Sequence, residues 1–271
     1  MKNHYEIGSV VFGKWSIARR IGAGSFGTVY EIRREEFGQT YTAALKVITV
    51  PQNETELQDA LDEGMTQGQA EDYFYTMVKD IVREFAIMAR LKGTGNVVSY
   101  EDHEVVPHDD GMGWDILIRM ELLTPLLEYA YDHPFSRRDI IRLGIDMCRA
   151  LELCQKYNII HRDVKPENVM LRGREAVLID FDASRVFKHE RENDTQILGT
   201  MGYAAPEQYG ISQSDSRADI YSLGVLLNIM LTGQHPSREL AAGRMGRIVQ
   251  KCTMTNPQKR YKDVLHLMES L

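Results

Sequence analysis

The chain has 271 residues, of which 43% are apolar and 26% charged, and a formal net charge of −7. That length suffices for a well-buried core, as one large domain or as two lobes around a cleft, and the composition is that of an ordinary soluble globular protein. The acidic balance excludes the basic footprint of a nucleic-acid-binding protein.

From the N-terminus, Met1–Glu6 lacks the apolar stretch of a signal peptide. Trp15–Ile21 and Val29–Arg33 read as strands on either side of a glycine-rich segment, with a turn at Phe37-Gly38-Gln39. Tyr41–Val50, closed by Pro51, completes an antiparallel sheet of at least three strands. Residues 52–72 are polar and acidic, with glycines at Gly64 and Gly68. Phe74, Met77, Val78, Ile81, Phe85, Met88 and Leu91 recur at three- and four-residue spacing, which predicts a long helix ended by Gly93 and Gly95. Val97–Val106 and Asp115–Leu122 read as further strands around an Asp109-Asp110-Gly111 turn. Ser136 is a good N-cap for a helix running to about Tyr157. Two short strands, Val169–Leu171 and Val177–Ile179, flank a turn at Gly173. Residues 183–205 lack periodicity and predict a long loop of the kind that carries function. Helical patterns return at 218–232 and 244–254, and again near the end. Strands first and helices later predict an α+β protein in two parts, split near Thr124. Cys148, Cys154 and Cys252 form no C-x-x-C pair, which predicts reduced thiols in a cytoplasmic protein rather than a disulfide framework or a zinc site. No apolar run is long enough to span a bilayer, so the expectation is of no membrane segment in this chain.

Gly22-Ala23-Gly24-Ser25-Phe26-Gly27-Thr28-Val29 matches G-x-G-x-x-G-x-V, whose glycines let a backbone come close to phosphate groups. The same spacing marks dinucleotide sites, but those need a helix directly after the glycines. Here Thr28–Ile32 is strand-like, so the segment is a hairpin tip. An ordinary glycine-rich hairpin is an equal alternative for this motif in isolation. On the strand Ala43–Ile48, Ala44, Lys46 and Ile48 point the same way. Lys46 is either an exposed edge lysine or the partner of Glu84. Glu84 sits beside Ile81, Phe85 and Met88 in the helical pattern, where a carboxylate without a partner is costly. A surface glutamate at the margin of that stripe is the other reading.

His161-Arg162-Asp163-Val164-Lys165-Pro166-Glu167-Asn168 resembles the catalytic loop H-R-D-x-K-P-x-N of eukaryotic-type protein kinases. Asp180-Phe181-Asp182 is similar to the family's D-F-G element. Gly199-Thr200-Met201-Gly202-Tyr203-Ala204-Ala205-Pro206-Glu207 is similar to the segment that ends the activation loop, and with Lys165 it resembles the serine/threonine rather than the tyrosine branch. Asp219-Ile220-Tyr221-Ser222-Leu223-Gly224 resembles the start of the family's buried central helix. The resemblance runs from about residue 15 to 265 with the motifs in family order, and the wording of 199–208 is similar to that of bacterial members.

The resemblance implies a two-lobed α+β fold and a single kinase domain over 1–271. A small antiparallel β-sheet lobe with one major helix would cover about 1–123, and a larger, mainly helical lobe about 124–271. It implies transfer of the γ-phosphoryl group of ATP, with Mg²⁺, to Ser/Thr hydroxyls of a protein substrate. It also implies autophosphorylation, for which a dimer acting in trans is the partner it allows. Asp163 would accept or orient the hydroxyl proton and Lys165 would neutralise charge on the phosphoryl group. Lys46, oriented by Glu84, would hold the α- and β-phosphates, and Asn168 and Asp180 the metal. Gly22, Gly24, Ser25, Phe26 and Gly27 would cover the phosphates. Val29, Ala44 and Met170 would contact adenine between the lobes, Met120 would guard the back pocket, and Glu121-Leu122-Leu123 would form the hinge. Thr200 would position Asp163 and Lys165, Asp219 would brace the catalytic loop, and Arg260 would pair with Glu207. Arg162 would anchor a phosphate on the activation loop, with Thr195 better placed to carry it than Ser184.

The chain departs from the family twice. Asp182 stands in place of glycine, which implies either altered switching, because aspartate resists backbone angles that glycine permits, or a solvent-facing side chain with no role. About 37 residues separate Lys46 from Glu84, roughly twice the family distance, as an acidic loop and an extended helix. This is either a docking surface or a solvated insertion. Two rivals remain beside a catalytic kinase. A pseudokinase scaffold would usually lack the equivalents of Lys46, Asp163 or Asp180, and all three are present. A small-molecule kinase of related fold would lack the segment Gly199–Glu207.

Overall fold

The computed structural model describes residues 5–24, 27–89, 91, 93, 95–109, 112–181, 185–186, 200–209 and 215–271, the side chains of Glu84, Ile87, Arg185 and Val186 excepted. The chain divides into two units, one of residues 1–94 and 98–122, the other of residues 95–97 and 123–271. The first is a small antiparallel sheet with a major helix, the second mainly helical.

In the first unit the strands are β1 (Val10–Val11), β2 (Trp15–Gly24), β3 (Gly27–Glu36), β4 (Gln39–Val50), β5 (Tyr100–Pro107) and β6 (Trp114–Met120). They form one six-stranded sheet in the order β1-β2-β3-β4-β6-β5. Alternation along β4 sets its two faces. Ala43, Leu45 and Val47 enter a buried cluster with Trp15, Ile17, Ile32 and Leu117. Ala44, Lys46 and Ile48 take the opposite face, opposite Met120, Ile118 and Ile116 of β6. Because β4 is paired on both sides, Lys46 is not on a sheet edge.

The acidic stretch after β4 was expected to be a loop, and it folds in part as helix α1 (Glu54–Asp62). The Asn53 side chain accepts from Glu56 N at 2.8 Å, and Glu54 and Glu56 in the first turn suit the positive end of the helix dipole. A reciprocal cap then opens α2 (Gln67–Ala89): Gln69 N donates to Thr66 Oγ1 at 3.3 Å, and Thr66 N donates to Gln69 Oε1 at 2.9 Å. Helix α2 buries Phe74, Val78, Phe85 and Met88, the stripe expected from their spacing. Strand β5 begins three residues later than expected. Leu178 N donates to Asn96 O at 2.8 Å and Val97 bridges Leu178, so these residues pair with the second unit instead.

The second unit runs through β7 (Thr124–Pro125), α3 (Leu126–Asp132), α4 (Arg137–Lys156), β8 (Ile159–Ile160), β9 (Val169–Arg172), β10 (Glu175–Leu178), β11 (Arg185–Val186), α5 (Arg217–Thr232), α6 (Gly243–Cys252) and α7 (Val264–Ser270). Ser136 caps α4 in a capping box with Asp139. The β9–β10 hairpin turns at Gly173 and lies against α4, which also packs on α5 and α7. Helix α5 is buried almost continuously from Ala218 to Asn228, as its apolar sequence requires of a central helix. All three cysteine thiols are buried; burial pushes Cys148 up to about 12 and raises Cys154 and Cys252 further. Among the described residues, no group of three or more His, Cys, Asp or Glu side chains is placed to hold a metal. Nor is any helix among them long and apolar enough to cross a membrane.

Candidate active site

The expected site residues fall into two groups, one in each unit. In the first unit the register sets Gly22 opposite Val29 and Gly24 opposite Gly27, so the glycines form a hairpin that runs straight into β3, with no helix after it. Two of these glycines have different reasons to be glycine. Gly27 has φ +146, and a Cβ there would collide with the Val47 carbonyl oxygen, so the sheet itself demands glycine at that position. At Gly22 a Cβ would meet nothing within 4 Å among the described residues. Ser25 and Phe26 lie outside the described residues.

Val29 is opposite Lys46, Lys46 opposite Ile118, and Ala44 opposite Met120. Direct cross-strand partners share a face, so Val29, Ala44, Lys46 and Met120 line one side of the sheet. Helix α2 packs on that side: Phe85 meets Tyr100 at 5.3 Å, and Tyr100 is the other cross-strand partner of Met120. Glu84 precedes Phe85 on this helix, but its side chain lies outside the described residues. The Glu121 carboxylate accepts from Ser99 N at 2.7 Å, and Glu121 N donates back to Ser99 O at 3.2 Å. Its side chain thus ties the end of β6 to the residue before β5.

The second unit contains Leu123, Met170, Asp163, Lys165, Asn168 and Asp180. Met170 lies on β9 between Pro125 and Val177. The loop from His161 to Asn168 is held from three directions. From α5, the buried Asp219 carboxylate accepts from His161 N at 3.0 Å and Arg162 N at 2.8 Å. From the segment after β10, Ile179 N donates to Asn168 O at 2.9 Å, and Ile179 O accepts from His161 Nε2 at 3.0 Å. That leaves Nδ1 of the same ring to accept from Asp163 N at 3.3 Å, while the ring edge packs on Phe181 at 4.7 Å. From the other side, Gln208 Nε2 donates to Arg162 O at 2.9 Å. Arg162 and Asp180 have φ +68 and +61, left-handed values that cost about 1–3 kcal/mol for a non-glycine residue and gather at functional sites.

Asp163 lies at the centre. Its Oδ1 accepts from Thr200 Oγ1 at 2.6 Å and from Thr200 N at 3.1 Å. Its Oδ2 accepts from Asn168 Nδ2 at 2.9 Å and lies 2.8 Å from Lys165 Nζ. Lys165 Nζ in turn donates to Thr200 Oγ1 at 2.7 Å. Asp163 and Lys165 keep 14% and 20% of their side chains exposed, so a carboxylate and an ammonium are held in place yet open to solvent. With Asn168 Nδ2 committed to Asp163, the Oδ1 of the same amide is its remaining ligand atom, and Asp180 directly follows the Ile179 that pairs with the Asn168 backbone. An amide oxygen and one carboxylate suit Mg²⁺, which takes few protein ligands and completes its shell with water and phosphate oxygens.

The segment after Thr200 is pinned by residues from α5 and beyond. Arg260, its side chain fully buried, forms an ion pair with Glu207, with Nη2 to Oε2 at 2.8 Å, and donates to Met254 O and Arg217 O at 2.7 and 2.9 Å. Three further anchors escaped the sequence reading: Gln208, whose Oε1 accepts from Ala205 N at 2.9 Å; Ser222, whose Oγ donates to Tyr203 O at 2.8 Å; and His235, whose Nε2 donates to Gly202 O at 2.9 Å. Gln208 directly follows the motif that ends at Glu207, and only the structure shows that it is buried. His235, in the turn after α5, is next to no such motif. Asp182, Ser184, Thr195 and Gly199 lie outside the described residues.

A family model described as the protein kinase domain matches residues 15–271. The chain is 39% identical over 109 residues to the serine/threonine-protein kinase PknB of Mycolicibacterium smegmatis, covering 39% of this chain and 17% of that protein. It is 28% identical over 233 residues to the probable serine/threonine-protein kinase pknA2 of Bifidobacterium longum, 85% of this chain and 28% of that one. To the calcium-dependent protein kinase 7 of Oryza sativa it is 28% identical over 248 residues, 87% of this chain and 38% of that one. The chain thus spans well under half the length of these relatives.

Proposed function

Because the chain belongs to the protein kinase domain family, we propose that it transfers the γ-phosphoryl group of ATP to serine or threonine hydroxyls of a protein substrate. The observation that carries this reading is the Asp163 carboxylate, held by Thr200, Asn168 and Lys165 and still open to solvent. A carboxylate so placed can orient an incoming hydroxyl and accept its proton. Lys165 beside it neutralises charge that builds on the phosphoryl oxygens during transfer, and a cation positioned in advance needs no reorganisation at that moment. Asn168 Oδ1 and Asp180 would hold Mg²⁺, which when bound offsets the charge of the phosphate groups. Lys46, with Glu84 as its partner, would pair with the α- and β-phosphates under the hairpin of Gly22, Gly24, Ser25, Phe26 and Gly27. The open space over Gly22 supports that role for the hairpin, since nothing among the described residues requires glycine there. Val29, Ala44, Met120 and Met170 would contact the adenine, with the backbone of Glu121 and Leu123 binding its edge.

The reading is tested with radiolabelled ATP, a generic serine/threonine protein substrate and the Asp163→Asn variant. The expected result is phosphate transfer by the wild type, none by the variant, and nucleotide binding by both. Binding without transfer in the wild type would make the chain a pseudokinase scaffold and overturn the proposal.

A further inference from the structure

The second unit carries a concave site whose residues take no part in the network around Asp163. A cavity of about 290 Å³ opens between α3, the first turns of α4 and the β9–β10 hairpin. Its floor is apolar, formed by the buried Leu143 and Leu171. One wall is aromatic: Tyr129 stacks on His133 at 4.5 Å with 15° between the rings, and meets Phe135 edge-on at 6.0 Å. The rim is charged, with Arg142 from α4 and Arg174 from the hairpin turn, both exposed.

Asp139 also lines the cavity, but its carboxylate is occupied by the α4 cap, where it accepts from Ser136 N at 2.9 Å and from Ser136 Oγ. Those two bonds, more than the nearby Arg142 and Arg174, hold it below the usual carboxylate range. Glu175 is drawn to the other side of the hairpin by Arg172, 3.9 Å away. Neither Arg142 nor Arg174 forms an ion pair among the described residues. Two guanidiniums against one capped carboxylate make the rim net positive, in a chain of net charge −7. The volume lies just below the range of small-molecule pockets, which suits one large side chain rather than a cofactor.

We propose that this groove docks a peptide segment of a partner protein that carries one large apolar side chain flanked by acidic residues. The apolar side chain would enter against Tyr129 and Leu171, and the flanking carboxylates would pair with Arg142 and Arg174. Charge complementarity selects the acidic partner: a basic segment would meet like charge at the rim, and elsewhere the acidic surface of the chain repels an acidic segment. Exposed ion pairs are individually weak, so the apolar side chain carries most of the affinity and the rim charges carry the selectivity.

The test is fluorescence anisotropy of the full chain with a labelled peptide alternating glutamate and leucine, with lysine–leucine and glutamate–glycine peptides as controls. Saturable binding of the glutamate–leucine peptide alone is expected, weakened at least about tenfold by Arg142→Glu with Arg174→Glu and also weakened by Phe135→Ala. Phosphorylation of a generic substrate by these variants should stay at the wild-type rate. Because binding is read without turnover, the outcome is independent of the catalytic reading. Equal binding by the charge-reversed variant, or equal binding of the glutamate–glycine control, would overturn the proposal. So would a preference for an oligonucleotide or an anionic vesicle over the peptide.

Discussion

Replacing Thr200 by valine keeps the shape of the side chain and removes one oxygen, the one that connects Asp163 to Lys165. Its Oγ1 donates to Asp163 Oδ1 at 2.6 Å and accepts from Lys165 Nζ at 2.7 Å. Both bonds involve a charged partner, a class that contributes about 1.5–3 kcal/mol each. The loss is smaller than their sum, because Asp163 Oδ1 keeps the Thr200 N–H at 3.1 Å and Lys165 keeps Asp163 Oδ2 at 2.8 Å. One such bond is therefore the fair measure, about 1.5–3 kcal/mol, which is roughly a 10- to 150-fold loss at about 1.4 kcal/mol per tenfold. The loss should fall on kcat for phosphorylation of a peptide and leave the KM for ATP unchanged, since the hydroxyl orients the groups proposed to act on the acceptor. Thr200→Ser keeps the oxygen and should retain most of the activity. Steady-state kinetics and a melting curve on all three proteins decide the matter. A valine variant with normal melting and kcat within about twofold of wild type would show that the hydroxyl is not what aligns Asp163 with Lys165.

Gly27→Ala should lower stability by about 1–3 kcal/mol in a urea titration, because its Cβ would strike the Val47 carbonyl, whereas Gly22→Ala should stay within about 0.5 kcal/mol of wild type and raise the KM for ATP instead. Arg260→Met strands the Glu207 carboxylate and removes donors to Met254 O and Arg217 O; a loss of about 3–5 kcal/mol is expected, read from the urea midpoint. His235→Ala removes the donor to Gly202 O, a neutral bond of about 0.5–1.5 kcal/mol, and should raise the KM for a peptide substrate roughly two- to twelvefold while leaving the KM for ATP alone.

What could be read from the sequence was whatever repeats along a single element. The α2 stripe from Phe74 to Met88 and the Ser136 cap of α4 are local patterns, and both are present. Helix α1 is hard to read because its apolar stripe is a single turn, Leu57, Ala60 and Leu61, of which only Ala60 is buried, in an otherwise polar stretch; the other local signs are the Asn53 cap and the acidic first turn. The late start of β5 has no local sign at all, since Asn96 and Val97 are drawn away by Leu178 and Ala176 some eighty residues later. Strands of two residues such as β1, β7 and β8 are too short to alternate. At the site, the octapeptide His161–Asn168 showed which chemical groups are present but not what holds them. Thr200 and Asp219 came from the resemblance to kinases, and Gln208 and His235 from the structure alone.

The anchoring of the loop from outside explains its backbone. A buried carboxylate such as Asp219 is unfavourable on its own: burial pushes it up, opposed by the Arg162 and His161 backbone amides from which it accepts. Two consecutive N–H groups that converge on one carboxylate offset part of that penalty, and converging them requires the chain to turn sharply at once. Arg162 makes that turn at φ +68, where a non-glycine residue is strained. Strain in the loop and burial of the acid are each unfavourable alone, and each is offset by the bonds of 3.0 and 2.8 Å that they share. Asp163 is the next residue, so its direction is set by the first turn of α5, 57 residues from Arg162, rather than by the loop's own preferences. A loop built this way cannot relax around a missing anchor without moving the carboxylate that the proposed chemistry depends on.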